Sequence, residues 1–384
     1  MDASVTIGHV RGVRVGLHWS VLVIVALVAL GLATVQLPDA AAGYTGTEYW
    51  GAALVTAVVF VASILAHELS HALVAIRAGR QVRAITLWLL GGVAELERGA
   101  DSPGEELRIA IAGPATSAAV AVVAGAATAA LHAAGASPLA VAVAAWIAGM
   151  NAILAVFNMV PAAPLDGGRV LRAALWAWRH DRVGSAVAAA RAGRLFGLTL
   201  VVLGALLFLT GGGGLWFVLL GWFLMNAARA EEFQVEVEDR LAGVRVGDVM
   251  SRDPLCAPAA LDAQRFLDEF VMRHPFSTFP IVDAAGRPTG LLTLRRLKAL
   301  DAAERARTPV AAVACPLDEV PRANPDEPLV AALARMRDDC AQGRLLVFEG
   351  DRLVGLLSPT DVQRALDRAE LRRRAAPEGP GWRG

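Results

Sequence analysis

The sequence is short of charge. Asp, Glu, Lys and Arg make up 19% of its 384 residues, against ~25% in soluble domains, while hydrophobic residues make up 55%. That imbalance excludes an ordinary soluble globular domain and points to a chain that crosses a membrane several times. No net charge of either sign remains, because 36 basic residues meet 36 acidic ones. A basic surface is therefore not expected, and no nucleic-acid partner is assigned. Lysine is nearly absent, Lys298 being the single example, which reads as compositional bias rather than function. Cysteine is scarce too: Cys256, Cys315 and Cys340 all fall in the last third, without a C-x-x-C pair. They are expected to be isolated thiols in a reducing compartment. The N-terminus lacks a short apolar stretch ending in a cleavage site, so a removed signal peptide is not expected and the first apolar run is kept as a span.

Long apolar runs are what the sequence has. Ser4 to Gly16 alternates and reads as short strands. Val21 to Leu37 is a first span, given that ~20 apolar residues cross a bilayer. The second runs through Val55 to Arg80, and Leu107 to Leu131 is a third, interrupted early by Gly113-Pro114. Leu139 to Val160 is a fourth, carrying Asn151 and Asn158 and breaking at Pro161 and Pro164. After an Arg-rich segment, Arg169 to Arg194, come Leu195 to Thr210 and Leu215 to Ala228 as the last two. Between the second and third spans, Ala84 to Glu97 is too short to cross. Gly91-Gly92 between its apolar halves reads as the turn of a β-hairpin. Three connections (38–49, 132–138 and 211–214) carry no Lys or Arg, and the others are Arg-rich. By the positive-inside rule, a chain of about six spans puts all three on the outer side and both termini in the cytoplasm.

The second span holds His67-Glu68-Leu69-Ser70-His71, an H-E-x-x-H pattern. On a helix the two His lie one turn apart on one face and can share a metal ion, while Glu68 can activate a metal-bound water. In a soluble helix chance would explain the pattern often. Within an apolar span, ionisable groups are costly and are functional candidates by default. A catalytic zinc needs a third protein ligand. Asp166, in Asn158-Met-Val-Pro-Ala-Ala-Pro-Leu-Asp166-Gly-Gly-Arg169, is the best candidate; Glu95 and Asp101 are weaker ones. The competing reading makes Asp166 an N-cap for the Arg-rich helix that follows.

At these residues the chain resembles the site-2 protease family of intramembrane zinc metalloproteases, through H-E-x-x-H and the motif N-x-x-P-x-P-x-L-D-G. Asn158, Pro161, Leu165, Asp166 and Gly167 are in place, whereas the second proline, Pro164, stands one position late. Ala112-Gly113-Pro114 and the Gly91-Gly92 hairpin also look like family features, and the resemblance covers residues 1–230. It implies one zinc per chain on His67, His71 and Asp166, with Glu68 as general base. Asn158 either holds the substrate carbonyl or makes an interhelical hydrogen bond, and Asn151, one heptad earlier, is read the same two ways. His18 reads as structural. The hairpin with Gly91 and Gly92 offers an edge to which an extended substrate could add as a strand. Membrane lipid surrounds such a domain. The substrate implied is a membrane-spanning regulatory protein, such as an anti-sigma factor or a membrane-bound transcription-factor precursor.

After a charged linker at 231–243, the remaining chain divides into two similar units, 244–303 and 309–368, followed by a frayed tail at 369–384. Each unit is about 60 residues and pairs a strand–turn–strand with an amphipathic helix. The two resemble a tandem pair of CBS domains, an α/β module, through Val246-Gly247-Asp248-Val249-Met250 and two G-x-x-[ST] endings. The resemblance implies adenine nucleotides (ATP, ADP or AMP), with a Ser or Thr on phosphate and an Asp three residues on at the ribose. Ser358 and Asp361 give the second ending in full, while the first has Thr293 but Arg296 in place of Asp. A structural pair, or a homodimer through the CBS domains, is the alternative. The fold expected is thus a polytopic α-helical membrane protein with a small β-hairpin, plus a soluble CBS module. The rivals to a protease are a CBS-gated transporter or channel, whose His and Asp would line an ion path, and a metal-binding pseudoprotease.

Overall fold

A computed structural model of the chain describes residues 5–88, 91–96, 100–336 and 340–375. It divides into two compact units, Met1–Val235 and Glu236–Gly384.

The first unit opens with β1 (Val5–Val10) and β2 (Val13–Leu17). Next come α1 (Ser20–Gly31), which continues through a π-helical turn at Leu32–Gln36 into α2 (Leu37–Ala40), and α3 (Gly46–Arg77). Thr45 and Glu48 start α3 with a capping box: Thr45 Oγ1 accepts from the Glu48 amide and Glu48 Oε2 from the Thr45 amide. Then follow β3 (Val82–Trp88), β4 (Gly91–Leu96), α4 (Pro103–Ala133), α5 (Pro138–Asn158), α6 (Asp166–Arg179), α7 (Arg182–Leu209) and α8 (Leu215–Arg240). Among the described residues, five stretches are long and apolar enough to cross a membrane: Ser20–Ala40, α3, α4, α5 and α7. The sixth expected span falls short of that measure, because α8 is uncharged only as far as Ala228 and then turns into the charged stretch from Arg229 to Arg240. The fifth span begins earlier than expected, since α7 already starts at Arg182. Nor does Gly113-Pro114 interrupt α4. Pro114 removes one backbone donor, a loss that packed membrane helices tolerate.

Small residues bring the helices together. Ala53 and Ala57 of α3 are fully buried beside Leu32 and Leu37, and Gly197 of α7 abuts Gly221 of α8 so closely that a Cβ on either would strike the partner's backbone. Large apolar residues such as Leu22, Val122, Val156 and Trp222 face outward, as lipid-facing surface requires.

The four strands of this unit form one sheet in the order β1-β2-β3-β4. β2 pairs with β3 in parallel, Val15 against Ile85, and β3 pairs with β4 antiparallel. The expected N-terminal strands and the expected hairpin are therefore one structure. Gly91 and Gly92 are not its turn: they open β4, opposite Trp88 and Leu87, and positions 89 and 90 lie outside the described residues. Ile85 and Val13 pack on Ala72 and Ala75 of α3 and Ile109 of α4, which seats the sheet against the last turns of the His-bearing helix.

The second unit continues with α9 (Val246–Val249), β5 (Ser251–Arg252), β6 (Ala257–Pro258), α10 (Ala263–Phe266), β7 (Thr278–Val282), β8 (Pro288–Thr293), α11 (Leu294–Lys298), α12 (Ala302–Arg305) and α13 (Val310–Val313). It is completed by β9 (Cys315–Pro316), β10 (Arg322–Ala323), α14 (Leu329–Leu333), β11 (Leu345–Glu349), β12 (Arg352–Leu357) and α15 (Pro359–Ala375). Its two sheets run β6-β7-β8-β9 and β10-β11-β12-β5. Each repeat lends its first strand to the other's sheet, so the repeats interlock. The cysteine expectation is corrected here: Cys315 and Cys340 are joined in a disulfide, with Cα atoms 5.5 Å apart, and only Cys256 is free. Chain separation gave no sign of the pair; the interlocking of the two sheets creates it.

Candidate functional site

Three ligand-type side chains from two distant segments meet. His67 and His71 lie on the buried face of α3. Asp166 arrives from a different direction, as the first residue of α6, after the chain has turned through Met159–Leu165. Gly167 and Gly168 make that approach possible, since a Cβ on either would run into the backbone of residues 159–163. The N-cap position belongs to Leu165, so the Asp166 carboxylate does not cap its helix. It faces the imidazoles instead: Oδ2 is 3.2 Å from His67 Nε2 and 3.2 Å from His71 Nε2, and the two Nε2 atoms are 3.3 Å apart. All three residues are largely buried.

This donor set fits a zinc ion. A point equidistant from the three atoms is about 1.9 Å from each, close to the ~2.0–2.1 Å of a zinc–nitrogen bond. The space is kept open by Gly113 of α4, where a Cβ would collide with Nε2 of both histidines. The far side of each ring is also held. His71 Nδ1 is 2.6 Å from the Ile109 carbonyl oxygen, which can only accept. The ring proton therefore sits on Nδ1, and Nε2 turns a lone pair toward the cluster. His67 Nδ1 is 2.8 Å from Ser117 Oγ, which is fully buried. Ile109, Gly113 and Ser117 are spaced by four on α4 and form a single stripe behind the two rings. Sequence reasoning flagged Gly113 only as a family feature and missed Ser117.

The other predicted residues fall into place differently. Glu68 is half-buried on α3, next to His67. Asn158, at the end of α5, is half-buried and its Nδ2 donates to the Leu154 carbonyl. Asn151 is fully buried; its Nδ2 donates to the Ile147 carbonyl, and its Oδ1 is without a partner among the described residues. Asp101 is drawn away to Arg80, at 2.7 Å, and the Glu95 side chain lies outside the described residues. His18 Nδ1 is 2.8 Å from Ser20 Oγ. Gly91 and Gly92 lie in β4, one of the two edge strands of the sheet.

Buried charge pairs brace the helices that carry the site. Glu106 of α4, 2% exposed, is paired with Arg172 of α6, which also reaches Glu231 of α8 at 3.5 Å. Arg80, just beyond α3, is paired with Glu105 of α4 through both carboxylate oxygens.

In the second unit, Ser358 and Asp361 stand together at the start of α15. The Asp361 carboxylate accepts from the Ser358 amide at 2.9 Å, from Ser358 Oγ at 2.6 Å and from Ser251 Oγ at 3.1 Å. The pair thus acts locally as a capping box. Thr293 ends β8 in the other sheet, 2% exposed, its Oγ1 without a partner among the described residues.

The family model for peptidase family M50 matches residues 55–137 and 127–204, and the CBS domain model matches residues 246–302 and 310–368. The chain is 43% identical over 369 residues to "Putative zinc metalloprotease Rip3" of Mycobacterium tuberculosis, with 96% of this chain and 94% of the relative covered. It is 27% identical over 374 residues to "Zinc metalloprotease MJ0392" of Methanocaldococcus jannaschii, with 97% and 98% covered. Among solved structures it is similar to a site-2 protease from Methanocaldococcus jannaschii, at 26% identity and a TM-score of 0.42, covering 59% of this chain and 94% of that one.

Proposed function

Because the chain belongs to peptidase family M50, the site-2 protease family of zinc metalloproteases, and carries a tandem CBS pair, we propose that it hydrolyses peptide bonds within membrane-spanning segments of other proteins. The observation that carries this reading is the meeting of His67, His71 and Asp166 inside a bundle of apolar helices. When bound, zinc supplies Lewis-acid polarisation of a carbonyl and a water acidic enough to react near neutral pH. His67 Nε2, His71 Nε2 and Asp166 Oδ2 would hold it. The Glu68 carboxylate accepts the proton of the attacking water and returns it to the leaving nitrogen. Half-buried Asn158 is assigned to the substrate carbonyl, which it would hold through Nδ2, while fully buried Asn151, ~10 Å away along α5, packs within the bundle.

A substrate helix must unwind before its peptide bonds can be reached, and the open edge of β4 gives the extended segment a strand to pair with. Arg77 and Arg80 follow the His-bearing face of α3, which supports a site in the cytoplasmic half of the bilayer, with both termini and the CBS pair in the cytoplasm. The substrate class we assign is a regulatory membrane protein, of the anti-sigma-factor or membrane-bound transcription-factor kind. An adenine nucleotide at Ser358 and Asp361 would modulate cleavage, and a homodimer would form through the CBS pair.

Co-expression with candidate single-span proteins, comparing wild type with Glu68→Gln, tests the reading. The cleaved fragment is expected from the wild type only, with about one zinc per chain in both proteins, since loss of a general base costs ~10²–10⁴-fold in rate. Equal cleavage by the two proteins would remove Glu68 from the chemistry. Absence of zinc from both would remove the metal site.

A further inference from the structure

Arg296 stands where the second CBS repeat has Asp361, and its guanidinium is put to another use. Nε donates to the Val313 carbonyl at 2.6 Å, and Nη1 lies 3.3 Å from Cys340 Sγ. Cys340 is disulfide-bonded to Cys315. Cys315 opens β9 in the β6–β9 sheet and is fully buried, in a cluster with Leu291, Val320, Leu346 and Leu356. Cys340 is half-buried and lies shortly before β11 in the other sheet. The bond lies within the second repeat and links β9, which sits in the β6–β9 sheet, to the segment that leads into β11 of the other sheet. Its two cysteines are unequal: Cys315 is fully buried, whereas Cys340 is half-buried and its Sγ sits beside a cation. A cation next to a sulfur favours the thiolate, the form that reacts with disulfides.

We propose that Cys315 and Cys340 are a reversible dithiol–disulfide couple that exchanges with low-molecular-weight disulfides, with Cys340 as the entry sulfur. On closing, the Cys340 thiolate attacks one sulfur of R–S–S–R, forming a Cys340–SR bond and releasing one RS⁻. The Cys315 thiolate then attacks Cys340 Sγ, forming the Cys315–Cys340 bond and releasing the second RS⁻. Two electrons pass from the protein to the small disulfide, and the two thiol protons go to the released thiolates. Opening is the reverse, with attack by RS⁻ on the Cys340 sulfur. Cys256 is a built-in control: it is free, its thiol is pushed up by burial, and Sγ donates to the Pro254 carbonyl.

The test is an equilibration of full-length, detergent-solubilised protein against graded mixtures of reduced and oxidised glutathione. Thiols are then trapped with iodoacetamide and read by peptide and intact mass spectrometry. Cys315 and Cys340 are expected to close and open together, the closed form carrying two fewer alkyl groups than the open form, while Cys256 labels equally throughout. Cys340→Ser is expected to abolish the transition. Arg296→Met is expected to slow closure roughly 3–10-fold at pH 7, with the difference shrinking by pH 9, where thiols ionise without help. The proposal is overturned if both sulfurs label at every mixture, or if the bond stays closed in fully reduced glutathione. It is equally overturned if the reduced pair is protected by a chelatable metal ion shared with Glu319.

Discussion

Two residues of α4 frame the space shared by His67, His71 and Asp166. Gly113 contributes empty volume, because any side chain there enters the space between His67 and His71. Gly113→Ala is expected to leave a folded protein with little or no zinc, measured by elemental analysis beside circular dichroism. Ser117 contributes a fixed direction for the His67 ring. Ser117→Ala is expected to weaken zinc ~10–100-fold, read by competition with a calibrated chelator, with the thermal unfolding of the metal-free protein unchanged. The meeting of His67, His71 and Asp166 was legible in the sequence as H-E-x-x-H and L-D-G, since a metal site would impose residue types at fixed spacing. Ser117 was not, because a lone hydroxyl in an Ala-rich helix has no pattern. Its neighbour Thr116 looks the same in sequence, yet its Oγ1 merely donates to the Ala112 carbonyl.

Among the elements, α6 matters most, since it carries Asp166 and is fastened to α4 by the buried Glu106–Arg172 pair. Removing one partner strands the other charge, at a cost of about 3–5 kcal/mol, whereas replacing both with apolar residues is often close to neutral. Glu106→Gln and Arg172→Met are therefore each expected to lower the unfolding temperature and zinc occupancy, and the double variant to recover part of both. Purely additive losses would mean that the pair does not act as a clamp. The sheet bears on substrate capture. β1 and β4 are the sheet's edge strands, and β4 is the edge that belongs to the β3–β4 hairpin. Consecutive amides of a strand point to opposite sides. Of Val93→Pro and Ala94→Pro, the variant that removes the outward amide is expected to lower cleavage with zinc retained. Unchanged cleavage in both would rule out strand addition at this edge. The strands were legible from alternation, but their neighbours were not, because β2 and β3 meet only after two long helices have intervened.

For the molecule as a whole, the division into an apolar bundle and a repeated α/β module could be read directly, because composition changes sharply after Glu231. What composition could not convey is strand exchange between the repeats, which depends on long-range pairing, and with it the juxtaposition of Cys315 and Cys340. The nucleotide motif is also more ambiguous in the fold than in sequence, since Ser358 and Asp361 already satisfy each other as a helix cap. Titration of the full-length protein with AMP, ADP and ATP is expected to give one site per chain. Asp361→Asn is expected to weaken that site at least tenfold while the module stays folded, and no detectable heat with any of the three would leave the motif a cap alone.

The parallel pairing of β2 with β3 has one more consequence, which concerns how the chain is threaded. Strands that share hydrogen bonds stand on the same side of any bilayer, so the chain between them must cross it an even number of times. The Ser20–Ala40 stretch and α3 supply two crossings. Failure of either to insert would leave Val15 and Ile85 on opposite sides of the lipid, and the sheet could not close. The small sheet thus works as a parity check on insertion, completed only once the helix bearing His67 and His71 has been threaded the right way round.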